Sequence, residues 1–137
     1  MRRALAAVPA IALLLSGCGA AAETQESKFD EGSDQAQIAG LVDRLATAGA
    51  GRDADTICNE ILAKQLVDAL KAAGGNCVTE MDRAIKDASD YDLQVVDVKV
   101  NGSTATARVA QGDSDKRATF TFVKERGGWR ASALGAS

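Results

Sequence analysis

Thiols are the most reactive groups in this 137-residue chain, which has three cysteines (Cys18, Cys58 and Cys77) and no histidine. The missing imidazole removes the commonest general base and every triad built on it. A metal site is equally poorly served, because no Cys-x-x-Cys pair occurs and no histidine can complete a ligand set. Cys58 and Cys77 each stand near an expected helix start, where thiols ionise more easily, so a redox pair and a structural bridge are both open at this point. Carboxylates offer the other route to chemistry. Asp90 and Asp92 flank Tyr91, but at a helix-to-strand junction their ordinary place is a solvated turn. Gly74-Gly75 and Gly127-Gly128 are turn glycines, since a phosphate-binding loop needs more glycines and a lysine at fixed spacing. No catalytic residue, metal ligand or cofactor is therefore assigned.

The N-terminal stretch decides the chemistry of the first thiol. Arg2 and Arg3 precede an apolar run, Ala4 to Leu15, whose 12 residues are too few to span a bilayer but suit the h-region of an export signal. Leu15-Ser16-Gly17-Cys18 follows, and it resembles the lipobox of bacterial lipoproteins. That resemblance implies that residues 1–17 are a lipoprotein signal peptide, removed to leave 120 residues, and that the Cys18 thiol carries a diacylglyceryl group. It also implies a lipid-anchored protein on the extracytoplasmic side of the cell membrane, with palmitate-like acyl chains. Two or more chains hold a protein stably where one binds only marginally. With Cys18 assigned to lipid, Cys58 and Cys77 remain as a pair in an oxidising compartment. A disulfide closing their loop of about 20 residues would contribute roughly 3 kcal/mol.

Losing Arg2 and Arg3 takes the 16 basic residues to 14 against 19 acidic ones, a net charge of −5. No basic block recruits phosphate backbones, so nucleic acid is excluded as an expected partner. One Trp, one Tyr and three Phe promise a small, alanine-rich core and a modest pocket at most. Residues 18–33 are polar and aperiodic apart from Phe29, and they read as a tether from the lipidated cysteine. As a random coil, that tether would reach on the order of 20 Å.

Residues 34–137 read as one domain. Asp34 is a candidate N-cap with Gln37 reaching back, and Ile38, Leu41, Val42 and Leu45 form one apolar stripe that ends near Ala48 at Gly49 and Gly51. A second helix is predicted from Asp53 or Asp55 through Ile57, Ile61, Leu62, Leu66, Val67 and Leu70 to Gly74-Gly75. A third is capped by Asn76 and runs through Val78, Met81 and Ile85 to about Asp90.

Beyond Tyr91 the period falls to two and the chain reads as sheet. Leu93 and Val95 share a face opposite to Val96, Val98 and Val100, which predicts a bulge near Val95. Asn101-Gly102 suits a type I′ turn into a strand over Thr104–Gln111. The next strand starts near Lys116 with Ala118, Phe120 and Phe122 on one face, and the last runs from Trp129 to about Ala133 with Trp129, Ala131 and Ala133 on one side. Tight connections make this a four-stranded antiparallel meander.

The order of elements, the cysteine opening the second helix and the closing Gly-Gly-Trp-Arg strand resemble small exported NTF2-like (cystatin-like) lipoproteins of actinobacteria over residues 35–135. The fold class expected is therefore α+β, with three N-terminal helices packed on a curved four-stranded antiparallel meander sheet that forms a cone. The superfamily includes isomerases and hydrolases that place carboxylates inside the cone. The inward positions here, Val96, Val98, Val100, Ala105, Phe120 and Trp129 among them, hold no acid. The expectation is thus a non-catalytic binding module for an envelope protein or a small apolar ligand, with a carboxylate-dependent isomerase or hydrolase as the alternative. Val98, Phe120, Phe122 and Trp129 are the residues expected either to face that ligand or to form packed core. The outer face, rich in Thr104, Thr106, Thr119 and Thr121, would suit a homodimer formed sheet to sheet.

Overall fold

A computed structural model describes residues 28–88, 91–112, 115–126 and 128–136 of the chain. Residues 1–27, with Cys18 and the expected signal segment among them, and Ser89, Asp90, Asp113, Ser114, Gly127 and Ser137 lie outside the described residues. The element order is α1 (Asp34–Ala50), α2 (Ala54–Thr56), α3 (Lys64–Ala72), α4 (Cys77–Asp87), β1 (Leu93–Asn101), β2 (Thr104–Gln111), β3 (Arg117–Glu125) and β4 (Gly128–Ala136). The architecture is α+β, with one antiparallel sheet of order β1-β2-β3-β4.

Four helices are present among the described residues where the apolar spacing predicted three, because the second is broken. After α2, Ile57–Ile61 widens into a π-helical turn closed by the Leu62 N–H donating to the Ile57 carbonyl at 2.9 Å. Leu62 and Ala63 are then extended, with ψ of 143° at both. There the Ala63 N–H donates to the Ala131 carbonyl at 2.7 Å, and Leu62 bridges Ala131 in parallel along the edge of β4. The sequence concealed this break because Ile57, Ile61, Leu62, Leu66, Val67 and Leu70 keep helical spacing across it. Helix α3 restarts at Lys64 without a side-chain cap of its own. Instead Glu125 at the end of β3 accepts from the Lys64 N–H at 3.2 and 3.3 Å, a carboxylate at the positive end of a helix dipole.

The cap of α1 also shifts by one residue from expectation. The Ser33 hydroxyl accepts the Ala36 N–H at 3.1 Å, while Gln37 reaches back to the Gly32 carbonyl. This releases the Asp34 carboxylate for contacts elsewhere. The helix runs past Gly49 to Ala50, and the left-handed residue that follows is Arg52, with φ of 55°, not Gly51, whose φ is −79°. Gly49 is required for a different reason: a Cβ there would lie 2.9 Å from Cδ1 of Tyr91. Asp53 caps α2 through the Thr56 N–H and hydroxyl, and Asn76 caps α4 through the Thr79 N–H, both as expected.

In the sheet, the register of β1 against β2 slips between Val95 and Asp97, so the predicted bulge is there. Its effect corrects the list of inward residues. Val96 is extruded and 44% exposed, whereas Val95 is buried and Leu93, Val98 and Val100 pack against the core from the same face. Gly102-Ser103 forms the first turn, with Asn101 paired to Thr104. Gly102 has φ of 61° and Asn101 is not in the left-handed region, which is the pattern of a type II′ turn and not the expected I′. Strand β4 continues past Ala133. Its pairing with β3 slips twice, opposite Thr121/Phe122 and opposite Thr119/Phe120, leaving Ser132 and Gly135 as extra residues. Ala133 is consequently exposed, and Leu134 takes the inward place expected of it.

Helix α1 lies on the face carrying Phe120, Phe122 and Trp129. The cluster is apolar throughout: among the described residues no polar or charged side chain is fully buried. Phe122, Ile38, Ile61, Val42 and Val109 are its largest fully enclosed side chains. The opposite sheet face is polar, with Thr104, Thr106 and Thr119 exposed and Arg108 paired to Asp97 at 3.3 Å.

Cys58 in the π-helical turn and Cys77 at the start of α4 form a disulfide, with Cα atoms 6.0 Å apart. Non-reducing peptide mapping should recover them as one crosslinked pair. The double substitution Cys58→Ser/Cys77→Ser should cost roughly 3 kcal/mol in urea unfolding, the closure entropy of a loop this long; no measurable loss would show that packing alone holds the loop. For Gly49→Ala, overpacking at about 1–3 kcal/mol outweighs the roughly 0.5–1 kcal/mol that alanine gains inside a helix. The variant should melt at a lower temperature, and a gain in stability would mean that Tyr91 yields freely.

Candidate functional site

Small side chains decide where this fold has room. Leu45, Ala46 and Gly49 on α1 face Met81, Ala84 and Ile85 on α4 across an open cleft of about 650 Å³. Its sheet-side wall is built by Leu93, Ala118, Phe120 and Leu134. Gly135, with φ of 76°, keeps this wall low: a Cβ there would meet Ala118 Cβ at 3.4 Å and Phe120 Cε1 at 3.5 Å. The volume falls within the roughly 300–1,000 Å³ of small-molecule sites, larger than the modest pocket that composition suggested.

Helix α4 forms the outer wall, held at both ends. The disulfide ties its first residue to the π-helical turn, and the Tyr91 hydroxyl donates to the Ile85 carbonyl in its last turn. The Tyr91 ring packs against Gly49, so the same side chain joins α4, α1 and the entry to β1.

The polar groups of the cleft gather at one end. Gln111 closes β2, Lys116 precedes β3 and Arg117 opens it, and all three line the mouth. The Gln111 N–H donates to the Lys116 carbonyl at 3.4 Å, and the Gly112 N–H to the Asp92 carbonyl at 2.8 Å, which fixes the two strand ends beside each other. Among the described residues lining the cleft there is no aspartate or glutamate. Nor do the described residues contain a cluster of acids and cysteines that could hold a metal ion.

Of the four residues expected to face a ligand or the core, only Phe120 lines this cleft. Phe122 and Trp129 are core, 1% and 5% exposed, and Val98 is half-buried against the same cluster. Asp92 is exposed, as a turn residue should be. Sequence reasoning missed Leu45, Met81 and Leu134 as cleft residues, because a wall shared by two helices and a bulged strand has no linear signature.

It also missed the polar clamp around Trp129. Asp34 accepts from the Trp129 Nε1–H at 2.9 Å and from Lys124 Nζ at 3.1 Å. Lys124, the cross-strand neighbour of Trp129, stands over the indole ring at 5.5 Å from its centroid. The half-exposed Asp34 is held below the ordinary aspartate range, first by the indole hydrogen bond and then by that of Lys124. Hairpin register could have paired Lys124 with Trp129, but nothing local connects either to Asp34.

Because the folded Asp34 has the lower pKa, its stabilising effect is present above the unfolded value near 3.9 and is lost as pH falls through the folded value. Asp34→Asn should therefore lower Tm by a constant amount at neutral pH, and the gap should close below about pH 4. A gap that persists undiminished into strong acid would remove the carboxylate from this role.

No family model, curated protein or solved structure matches the chain, so the function is argued from the geometry of the site.

Proposed function

We propose that this protein is an envelope lipoprotein, anchored on the extracytoplasmic side of the cell membrane through Cys18, whose domain binds a small apolar ligand without transforming it. The observation that carries the binding role is the cleft between α1, α4 and the sheet: largely apolar, open to solvent and lined by no carboxylate among the described residues. The anchoring role rests on Leu15-Ser16-Gly17-Cys18 behind its apolar run. Export is also consistent with the Cys58–Cys77 bridge, which an oxidising compartment preserves. No helix among the described residues is long and apolar enough to cross a membrane, so the acyl chains would supply the attachment.

We read the layering as a small NTF2-like or cystatin-like cone, with the bulges of β1 and β4 supplying the bend. Acid-base catalysis of the kind found in that superfamily needs a proton-transfer group within hydrogen-bond reach of the substrate. Tyr91, the hydroxyl-bearing aromatic of the cleft, already donates to the Ile85 carbonyl. Ligand binding is therefore favoured over the isomerase or hydrolase alternative, and over docking of a protein partner, for which a concave apolar site is less apt.

Two measurements test the two halves of this reading. Cys18→Ala should move the protein from the membrane fraction to the supernatant with its far-UV circular dichroism unchanged; continued pelleting would refute the lipid anchor. N-phenyl-1-naphthylamine, a neutral apolar fluorophore, should brighten on adding the Cys18→Ala chain and do so much less with Ala84→Trp added. Ala84 is exposed on α4 at the cleft wall, so the larger side chain fills the site without entering the core.

A further inference from the structure

Basic residues that are scattered along the sequence meet in one groove. Helix α3 and the end of the β3–β4 hairpin bring together Lys64, Lys71, Arg126 and Arg130, with Asp68 and Glu125 as the acids between them. Both acids are engaged within the groove: Asp68 forms an ion pair with Lys64, and Glu125 accepts from the Lys64 N–H at the start of α3. Four cations against two carboxylates leave an excess of positive charge, in a chain whose 19 acidic residues outnumber its 16 basic ones. Lys71, Arg126 and Arg130 make no ion pair among the described residues. Arg130 donates to the neutral Asn59 carbonyl at 3.1 Å, and Lys71 contributes only its field to Asp68. Other cations on the helices are matched singly, Arg44 with Glu60, Arg83 with Glu80 and Lys86 with Asp82.

The position of the groove matters as much as its charge. The described chain starts at Lys28, ten positions after Cys18, and enters α1 at Asp34. Lys124 and Trp129 hold Asp34 against the end of the sheet where β3 turns into β4. A tether from Cys18 therefore joins the domain at the end that carries the groove. The cleft mouth stands at the other end of β3, where Arg117 opens the strand, about 25 Å away at 3.3 Å per residue.

The geometry points to the groove between α3 and the β3–β4 hairpin as a docking surface for anionic lipid headgroups, on which the domain stands with its cleft mouth turned away from the bilayer. This rests on the anchor reading above for where the tether arrives, and adds to it a second, purely electrostatic contact. Each Lys or Arg beside an anionic surface strengthens partition roughly fivefold. The attraction fades beyond a Debye length of about 10 Å at 0.1 M salt. Three such charges hold a domain weakly by themselves. An acyl anchor keeps them within reach of the headgroups, so the contact sets orientation where the lipid sets location.

The Cys18→Ala chain, which carries no acyl groups, reads the groove alone. At low ionic strength it should co-sediment with vesicles of mixed dioleoylphosphatidylglycerol and dioleoylphosphatidylcholine roughly tenfold or more better than with dioleoylphosphatidylcholine alone, and added salt should release it. Lys71→Glu/Arg126→Glu, both at exposed positions, should abolish that preference with far-UV circular dichroism and Tm unchanged. Arg52→Glu/Lys99→Glu makes the same change of net charge at exposed positions outside the groove and should keep most of the preference. On the mixed vesicles, amide hydrogen exchange should slow over residues 64–72 and 124–126 and stay unchanged at the cleft residues 45–49 and 81–85. Equal sedimentation with both kinds of vesicle, or equal loss in the two double variants, would overturn the docking, as would slowing confined to the cleft. Release by millimolar inorganic phosphate at constant ionic strength would assign the groove to a small anion and also defeat the proposal. The lipid anchor is tested separately, by whether the Cys18→Ala chain leaves the membrane fraction of cells at physiological salt, so failure of one reading is distinguishable from failure of the other.

Discussion

An edge strand presents a row of unpaired amide and carbonyl groups, and something must cover them. In this protein β4 is covered by the two extended residues Leu62 and Ala63, anchored by the hydrogen bond from Ala63 to the Ala131 carbonyl. The consequences spread through the helical layer. To reach the strand the chain must leave its helix at Ile61, and the π-helical turn takes up the extra residue. Cys58 is thereby set opposite the start of α4, and Lys64 is delivered to the carboxylate of Glu125, so α3 begins against the end of the β3–β4 hairpin. Together these contacts commit α2, α3 and the first turn of α4 to the β4 side of the sheet.

The remaining space follows from that commitment. Helix α1 crosses the sheet and packs on β1, while α4 is held by its disulfide at one end and by the Tyr91 hydroxyl at the other. These attachments hold the two helices apart over the Phe120 end of the sheet, and several of the residues lining the gap are too small to fill it. Ala46, Gly49, Ala84, Ala118 and Gly135 contribute surface but little volume. Alanine-rich composition therefore has two effects in the same molecule. It permits a tightly enclosed core around Phe122 and Ile38, and it leaves a cleft where small side chains stand among the larger ones.

Charge is distributed to match. Most ion pairs are exposed, between neighbours on a helix or across adjacent elements, and such pairs contribute at most about 1 kcal/mol each. The Asp34, Trp129 and Lys124 clamp differs because one carboxylate is shared by an indole and an ammonium, joining the first turn of α1 to β3 and β4 across 90 and 95 residues of sequence. It fixes the end of α1 opposite the cleft, so the helix is held at Asp34 by polar contacts and near Gly49 by Tyr91. The wall formed by Leu45 and Ala46 lies between those two attachments.

Periodicity alone was enough to find the α+β order, the antiparallel meander and the bulge after Val95, because side-chain spacing of 3.6 or 2 residues is a local property of the backbone. The cysteine number, read with an expected oxidising compartment, was enough to pair Cys58 with Cys77. What periodicity could not detect was a break in which both halves keep the same spacing, as at Leu62 and Ala63, since only the open edge of β4 gives those residues a reason to be extended. The two extra residues in β4 were hidden for the same reason: Ser132 and Gly135 become bulges only against the register of β3, and they exchange Ala133 for Leu134 on the inner face. The cleft was least legible of all. It is a space between α1, α4 and the sheet, and the size of a space depends on how far apart the elements come to rest, which is set by Tyr91, the disulfide and the β4 edge acting together.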